Sequence, residues 1–229
     1  MGTTRTPAAA SWWEQRMVPR LTDAALGRAP VRTWRRRTVA GLHGRVLEIG
    51  FGSGLNLDLL PAEVTAVDAV EPLDAGWAAS ARRRAGAGVP VTRIGLDGQS
   101  LDLPDAGSGT GGYDAALCTF SLCTIPDPLL ALRELRRVLP AGAARHLLEH
   151  TRSPSPRVQR WQQRVEPAQR VVFGGCHLTR DPLDLARRAG FEVTDAEHHV
   201  LAGGPLTPWT HLTRARVVVP PATASVVGA

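Results

Sequence analysis

The chain of 229 residues has no lysine, a single tyrosine, three cysteines and no long apolar run. All 27 basic residues are therefore arginine, a bias that indicates codon usage more than chemistry. No apolar stretch approaches the roughly 20 residues that a membrane-spanning helix needs, and the first residues lack the apolar core of a secretion signal. We therefore expect no membrane span and a cytoplasmic location.

The three cysteines, Cys118, Cys123 and Cys176, do not form a familiar disulfide or zinc pattern. Their number is odd and none is spaced as CxxC. Cys118 and Cys123 are interpreted as small buried hydrophobic residues, and no residue close in sequence to Cys176 would lower its thiol pKa. The sequence therefore predicts no metal site and no reactive thiol.

The net charge of +6 raises the question of a nucleic-acid partner. The arginines occur in short clusters that we interpret as solvent-exposed helix faces, and exposed aromatic residues do not alternate with them, as a groove for a single strand requires. We therefore predict no specific nucleic-acid partner. The clusters are Arg35, Arg36 and Arg37; Arg82, Arg83 and Arg84; and Arg133, Arg136 and Arg137.

Short apolar runs alternate with segments of helical periodicity through residues 41–219, which predicts one α/β domain. Its sheet is expected to be doubly wound, mostly parallel and seven-stranded, with helices on both faces in three layers. Residues 1–40 read as a helical cap broken by Pro19 and Pro30, and residues 220–229 as a flexible tail. Predicted strands cover 44–50, 64–72, 90–96, 113–122, 144–150, 191–199 and 211–220; predicted helices cover 55–60, 76–86, 128–139, 157–173 (interrupted at Pro167) and 183–191.

Three alternating glycines, Gly50, Gly52 and Gly54, follow the first predicted strand. At a strand-to-helix turn, glycine permits a tight reversal and lets a ligand touch the backbone. A dinucleotide loop would read GxGxxG, whereas here the third glycine comes one residue early and Leu55 takes the later place. With Glu48 at the end of the strand, the pattern is ExGxGxG.

This pattern resembles the first motif of the class I S-adenosylmethionine-dependent methyltransferases, which have a Rossmann-like fold. The resemblance implies that the glycine loop and the following Asn56 bind S-adenosyl-L-methionine, with S-adenosyl-L-homocysteine as the product. It further implies that Glu48 reaches the ammonium group of the cofactor.

The same resemblance implies an acid at the end of the second strand, which accepts hydrogen bonds from the ribose hydroxyls. Asp68 and Glu71 are both candidates. Glu71 is favoured because Pro72 follows it and ends the strand, whereas Asp68 lies three residues earlier on the opposite face of the pleat. Pro72 is counted with the cofactor-binding residues.

The segment GLDGQSLDLPD is similar to the D-A-E-x-L-P element of the family, which contacts adenine. By position, Asp97 would accept from the adenine amino group, Gly98 would supply a backbone N–H, and Gln99 stands where an acid is more usual. Alternatively, Asp97 only caps a turn. Thr119 and Phe120, after the fourth strand, lie where the family lines the methionine arm and the transferred methyl group.

A second set of residues resembles a narrower subgroup, the methyltransferase-like alkyl-thiol methyltransferases and their bacterial relatives. The resemblance implies methyl transfer to a small, largely apolar acceptor, with thiol sulfur favoured over oxygen, nitrogen or carbon of a lipid, quinone or secondary metabolite. The shared residues are Glu149-His150, Trp161-Gln162, Pro167 and the run Gly175, Cys176, His177, Leu178, Thr179 and Arg180.

His150 is the candidate catalytic base or acceptor-orienting group, although a histidine at a strand end can equally be a structural hydrogen bonder. Thr179 and Arg180 are candidate acceptor-binding residues. Arg180 could hold an acceptor carboxylate or phosphate, or it could pair with Asp181 or Asp184.

Trp12 and Trp13 are also candidate acceptor-binding residues, because an N-terminal helix before such a domain commonly forms a lid. The same helix could equally be a packing element or a dimer surface. The sequence identifies neither the acceptor nor the oligomeric state.

Three other functions remain open from the sequence. A nucleic-acid methyltransferase would need a recognition module or a pocket motif such as N-P-P-Y, and the sequence has neither. A nicotinamide dehydrogenase is disfavoured by the early third glycine. A protein that binds the cofactor or its product without catalysis would share the same motifs.

Overall fold

In a computed structural model that describes residues 12–108, 112–201 and 206–220, seven strands form one sheet. The order across the sheet is β3-β2-β1-β4-β5-β7-β6; β1 to β5 pair in parallel, and β7 runs antiparallel between β5 and β6. The mostly parallel seven-stranded prediction is thus confirmed. The strands are Gly44–Ile49 (β1), Val64–Val70 (β2), Val91–Gly95 (β3), Ala115–Thr119 (β4), Ala144–His150 (β5), Glu192–Val200 (β6) and His211–Val218 (β7).

Helices cover both faces of this sheet. Because successive side chains of a strand point to opposite faces, Val46 packs with Leu42 on one side, while Leu47 packs with Leu132 and Leu135 on the other. The predicted three layers are therefore present. The helices in the described residues are Trp12–Arg16 (α1), Val18–Leu26 (α2), Ala29–Val39 (α3), Asp74–Ala79 (α4), Ala81–Ala85 (α5), Pro128–Val138 (α6), Pro156–Val172 (α7) and Pro182–Arg188 (α8).

Prolines begin helices here more often than they end them. Pro19 and Pro30 lie in the first turns of α2 and α3, where the backbone N–H has no helical partner in any case. The predicted breaks at these positions are therefore helix starts. The interruption predicted at Pro167 is also wrong, since α7 continues through it.

Two predicted helices are shorter than expected. The segment 55–60 forms only a 3₁₀ turn, Leu57–Leu59, because Pro61 follows and the preceding Asn56 turns its side chain into the interior. The segment 76–86 is divided into α4 and α5 at Ser80, whose buried hydroxyl bonds the carbonyl of Trp77.

The parallel strands β1 to β5 end at one edge of the sheet, and the strand order reverses there between β1 and β4. Ligands of such sheets bind at this edge. No helix in the described part of the chain is long and apolar enough to cross a membrane. The predicted tail and the first part of the predicted cap fall largely outside the described residues.

Candidate functional site

The three glycines of the first loop all have a positive φ, between 59° and 75°, which favours glycine. Their surroundings differ. A Cβ on Gly50 would lie 2.2 Å from the hydroxyl of Ser121, and one on Gly54 would press on Leu57 and Phe51, so packing also excludes side chains there. A Cβ on Gly52 would meet nothing within 4 Å and would point into open space beside the strand ends.

Glu71 lies just beyond β2 and faces this open space from the other side. Its carboxylate accepts hydrogen bonds from the backbone N–H of Gly52 at 2.6 Å and of Leu73 at 2.9 Å. Burial raises the pKa of Glu71, against these two donors. Gly76 of α4 permits the arrangement, since a Cβ there would lie 3.0 Å from the carboxylate.

Asp68, the other candidate for the ribose acid, is used elsewhere. It accepts from the phenol of Tyr113 and from the guanidinium of Arg45, both at 2.8 Å. These contacts give Asp68 a structural role between neighbouring strands. Of the two candidates, the structure brings only Glu71 to the glycine loop.

A buried polar network closes the bottom of the site around Asn56. Its side-chain NH₂ donates to Glu48 at 2.6 Å and to the hydroxyl of Thr119 at 2.9 Å. Arg35, from α3, donates to the oxygens of both Asn56 and Thr119 at 2.8 Å. Two of the predicted residues are therefore joined by an arginine from the N-terminal helices, and Asn56 links them to Glu48.

Arg35 is only 4% exposed, so the prediction that its cluster is a solvated face is wrong for this residue. Burial lowers its pKa to about 10, still well above neutrality. Its Nε is buried and has no hydrogen-bond partner among the described residues. Burial also raises the pKa of Glu48 to about 7, despite the hydrogen bond from Asn56.

The N-terminal helices dock on the glycine loop at a second point. The hydroxyl of Ser53 donates to Asp23 of α2 at 2.6 Å, and Arg83 of α5 contacts the same carboxylate at 2.9 Å. Farther along, the indole of Trp13 donates to a carbonyl at the end of α7, whereas Trp12 is 68% exposed. The cap thus contributes side chains to the site itself.

After β3, Asp97 forms a local turn: its carboxylate accepts from the backbone and the side chain of Gln99, at 2.8 and 2.9 Å. Gln99 in turn accepts from the backbone N–H of Asp127 at 2.8 Å. Gly98 must be glycine, since a Cβ there would lie 2.7 Å from Ile49. The turn-capping alternative for Asp97 is therefore present in the structure.

After β4 the chain turns at Phe120, which has a φ of 56°, unusual for a residue with a side chain. Glu149 of β5 holds the following loop by accepting from the N–H groups of Ser121, Leu122 and Cys123 at 2.9 to 3.3 Å. Burial raises the pKa of Glu149 to about 6, against these three donors.

His150 lies beside this loop, with its ring edge-on to Phe120 at a centroid distance of 5.0 Å. Its Nδ1 is 3.6 Å from the sulfur of Cys176 and 3.9 Å from that of Cys123. We call Cys123, His150 and Cys176 the sulfur–imidazole cluster. Burial alone would lower the pKa of His150, but the neighbouring Cys176 and Glu149 raise it.

The cluster bears on two predictions made from the sequence. Cys123, which donates to it, and His150 together lower the pKa of Cys176, although nothing near it in sequence indicated this. Three side chains with metal-binding atoms also lie within 4.8 Å of one another, where no metal site was expected. Cys118, by contrast, is a fully buried residue of β4, as predicted.

Thr179 and Arg180 serve the structure of the loops. Glu166 of α7 accepts from both the N–H and the hydroxyl of Thr179. Arg180 donates to the carbonyls of Leu122 and Ile125 at 2.5 and 2.7 Å, so the ion pair predicted for it is replaced by backbone contacts. Its predicted partners have other cations: Asp181 lies near Arg152, and Asp184 near Arg188.

The site has two regions. The cofactor end comprises the glycine loop, Glu71 and the network around Asn56; the acceptor end comprises Phe120 and the sulfur–imidazole cluster. Sequence reasoning missed Arg35. The pattern that could have identified it is its helical spacing from Val31 and Val39, which are buried on the same face of α3. It also missed the sulfur–imidazole cluster, whose members are far apart in sequence.

Residues 18–196 match the family model described as "Methyltransferase domain". Among curated proteins, the chain is similar to human thiol S-methyltransferase TMT1A, with 36% identity over 89 residues, 38% of this chain and 36% of that protein. It is similar to rat thiol S-methyltransferase TMT1B, with 27% identity over 155 residues, 66% of this chain and 62% of that protein.

A bacterial relative is phosphatidylethanolamine N-methyltransferase of Cereibacter sphaeroides, 31% identical over 128 residues, 51% of this chain and 57% of that protein. In all three matches, the chain spans less than two thirds of the length of the relative.

Solved structures share the fold at low identity. A SAM-dependent methyltransferase of Thermotoga maritima superposes with a TM-score of 0.61 at 20% identity, covering 89% of this chain and 98% of that one. A SAM-dependent methyltransferase from Aquifex aeolicus gives 0.58 at 14% identity, covering 88% and 96%. The [4+2]-cyclase SpnF gives 0.60 at 21%, covering 93% and 84%, so the fold alone does not specify the reaction.

Proposed function

Because the chain belongs to the methyltransferase-domain family, whose model matches most of its length, we propose that it S-methylates a small, largely apolar thiol. Methyl transfer from S-adenosyl-L-methionine, with S-adenosyl-L-homocysteine as the product, follows from family membership. The choice of a thiol as the acceptor is what the proposal adds to family membership.

The residues of the cofactor end fit this cofactor. Gly52 leaves open space beside the carboxylate of Glu71, which would accept from the ribose hydroxyls. Glu48 would face the ammonium group. Arg35, whose buried Nε has no hydrogen-bond partner among the described residues, would donate to the cofactor carboxylate. The predicted adenine contacts of Asp97 would use the carboxylate oxygen that Gln99 does not occupy.

When bound, the cofactor supplies an electrophilic methyl group on a sulfonium. Its transfer is an in-line displacement, so the chain chiefly has to align the acceptor and exclude water. Phe120 would help to align the acceptor and to exclude water. Its ring lies between two side chains: Arg35, whose guanidinium is 5.1 Å from the ring centroid, and His150, which meets the ring edge-on.

One observation at the acceptor end supports the choice of a thiol: Glu149, the carboxylate beside His150 in sequence, is already occupied by backbone donors. Glu149 accepts from three backbone N–H groups. A hydroxyl or an ammonium usually needs a base, whereas a thiol with a pKa near 8.5 needs little help. His150 is proposed to orient the acceptor. The names of the mammalian relatives support the same acceptor atom.

Trp12 is proposed to cover the acceptor. It is exposed on α1, and its neighbour Trp13 docks on the end of α7, from which the chain continues to Cys176. A lid in this position would shield the methyl group during transfer.

Release of S-adenosylhomocysteine, measured across a panel of small thiols, phenols and amines, tests the proposal. We expect turnover of apolar thiols, with phenols and amines slower. Turnover of a phenol with none of any thiol would overturn the choice of atom. Preferred turnover of an amine headgroup would support the second candidate, N-methylation of an amine lipid, which the bacterial relative favours.

A further inference from the structure

The sulfur–imidazole cluster has the composition of a metal site. Cys123 and Cys176 are 2% and 3% exposed, and both sulfurs approach the same nitrogen of His150. Cysteine thiolate and imidazole are the ligands that zinc prefers, and three protein ligands with one open position are typical of zinc sites that take part in a reaction.

The distances also fit. Zinc lies about 2.3 Å from sulfur and about 2.0–2.1 Å from nitrogen, so tetrahedral geometry places a sulfur and a nitrogen ligand about 3.5 Å apart. The observed separations from Nδ1 are 3.6 Å to Cys176 and 3.9 Å to Cys123. All three ligand atoms lie within 4.8 Å of one another, so small side-chain movements would complete the coordination.

The three ligands are held by separate parts of the fold. Glu149 fixes the loop that carries Cys123, and the N–H of His177, next to Cys176, donates to the carbonyl of Cys123 at 2.8 Å. His150 ends strand β5. The arrangement is therefore anchored by backbone contacts that do not depend on the ligands themselves, as a preformed site requires.

We propose that Cys123, Cys176 and Nδ1 of His150 bind one zinc ion. Binding releases the thiol protons to solvent, and two thiolates with one neutral imidazole neutralise the charge of the ion. The fourth position is left for water or for an incoming thiol.

This last step rests on the proposed function. A thiol that takes the fourth position displaces the bound water and gives its proton to solvent. The zinc-bound thiolate then attacks the methyl group: its new S–C bond forms as the sulfonium S–C bond breaks, and the neutral thioether dissociates. In this form His150 acts as a ligand, and the metal takes over activation of the acceptor.

The test is a titration of the reduced protein with Co²⁺, followed by competition with Zn²⁺, using a phosphine reductant in place of a thiol. We expect one Co²⁺ per chain, with a thiolate-to-cobalt charge-transfer band. Cys123→Ser and Cys176→Ser should weaken the band and lower Zn²⁺ affinity by about 100-fold or more. Cys118→Ser, the matched control outside the cluster, should behave as wild type.

Binding of S-adenosylhomocysteine is measured in parallel on the same samples. Loss of metal binding with product binding intact in Cys123→Ser and Cys176→Ser supports the site, and shows that these variants are folded. Product binding without stoichiometric metal in the wild type would overturn the inference and leave the proposed function standing. Metal binding without product binding would support the metal site and overturn the proposed function.

X-ray absorption of the wild-type protein loaded with Zn²⁺ keeps the inference testable if the serine variants do not fold. Scattering from two sulfurs at about 2.3 Å, with nitrogen or oxygen completing the shell, is expected. A shell of nitrogen and oxygen alone, or the mass of a Cys123–Cys176 disulfide in protein that binds no metal, would overturn it.

Discussion

The cofactor end and the acceptor end lie at the same edge of one sheet but are built in different ways. At the cofactor end, Glu71 accepts from Gly52 of the glycine loop, and Asn56 donates to Glu48 of β1, so the central contacts join segments close in sequence; Arg35 and Thr119 then add long-range contacts to Asn56. At the acceptor end, the loop after β4, the last residue of β5 and the segment after α7 each contribute one member of the sulfur–imidazole cluster. The proposed cofactor end is thus built largely on a local motif, whereas the proposed acceptor end depends on tertiary assembly.

We expect variants at the two ends to have different effects. Variants of the cofactor end should reduce product binding with every acceptor, and variants of the acceptor end should change turnover of particular acceptors while product binding is unchanged. Single substitutions in each region test this separation.

The largest effect is expected from Gly52→Ala. The methyl group would point into the space assigned to the cofactor, and we expect the affinity for S-adenosylhomocysteine to fall by about 100-fold, or about 2.7 kcal/mol, in calorimetry. Gly88→Ala is the matched control, since Gly88 also has a positive φ and open surroundings. Both variants should lose about 1–2 kcal/mol of unfolding free energy. Equal product affinity in the two variants would contradict the assignment.

Arg35→Met should weaken product binding by about 10-fold. It removes the donor to Asn56 and Thr119 and leaves their buried oxygens less satisfied, which costs about 1–3 kcal/mol. Arg36→Met, on the exposed neighbour, is the control and should bind as wild type. If Arg35→Met binds the product as tightly as Arg36→Met does, the N-terminal helices do not contribute to cofactor binding.

Product affinity should depend on pH through Glu48. Its pKa near 7 in the free protein means that the ammonium of the ligand must displace a proton at lower pH, so affinity should fall by about 10-fold from pH 8 to pH 6. Arg35 and Glu71 are the charged groups that act on it. Calorimetry in buffers of different ionisation enthalpy would detect the released proton, and Glu48→Gln should flatten the profile.

The smallest effect is expected from Trp12→Ala. If α1 is a lid, the KM for the acceptor should rise by about threefold to tenfold, while product affinity and unfolding free energy stay unchanged. Trp161→Ala removes another exposed tryptophan, 49% exposed on α7, and serves as the control. An unchanged KM for Trp12→Ala would favour packing or a dimer surface for this helix.

The sequence predicted the parts of the molecule that depend on local pattern. Most of the seven strands follow from short apolar runs, although β6 is largely polar, and the position of Glu71 follows from the proline after it. The helix at 55–60 was overpredicted because apolar periodicity does not reveal that the side chain of Asn56 is drawn inward by Glu48 and Thr119.

Residues that act through distant partners could not be predicted in this way. Arg35 looks like its exposed neighbours until β4 supplies Thr119 as an acceptor. Cys176 looks inert until strand β5 brings His150 to its sulfur. Arg180 was assigned to carboxylates because side chains are visible in a sequence, whereas the carbonyls that bind it are not.

Glu149 gives the acceptor end a mechanical property. Its carboxylate ties the loop after β4 to the last residues of β5, and His150 is the next residue along that strand. Any displacement of the strand end must therefore carry the imidazole, the loop and Cys123 as one rigid body. Under the proposed function, substrate breadth would therefore be expected to change where α7 packs on this unit, through Val165, rather than within the unit itself.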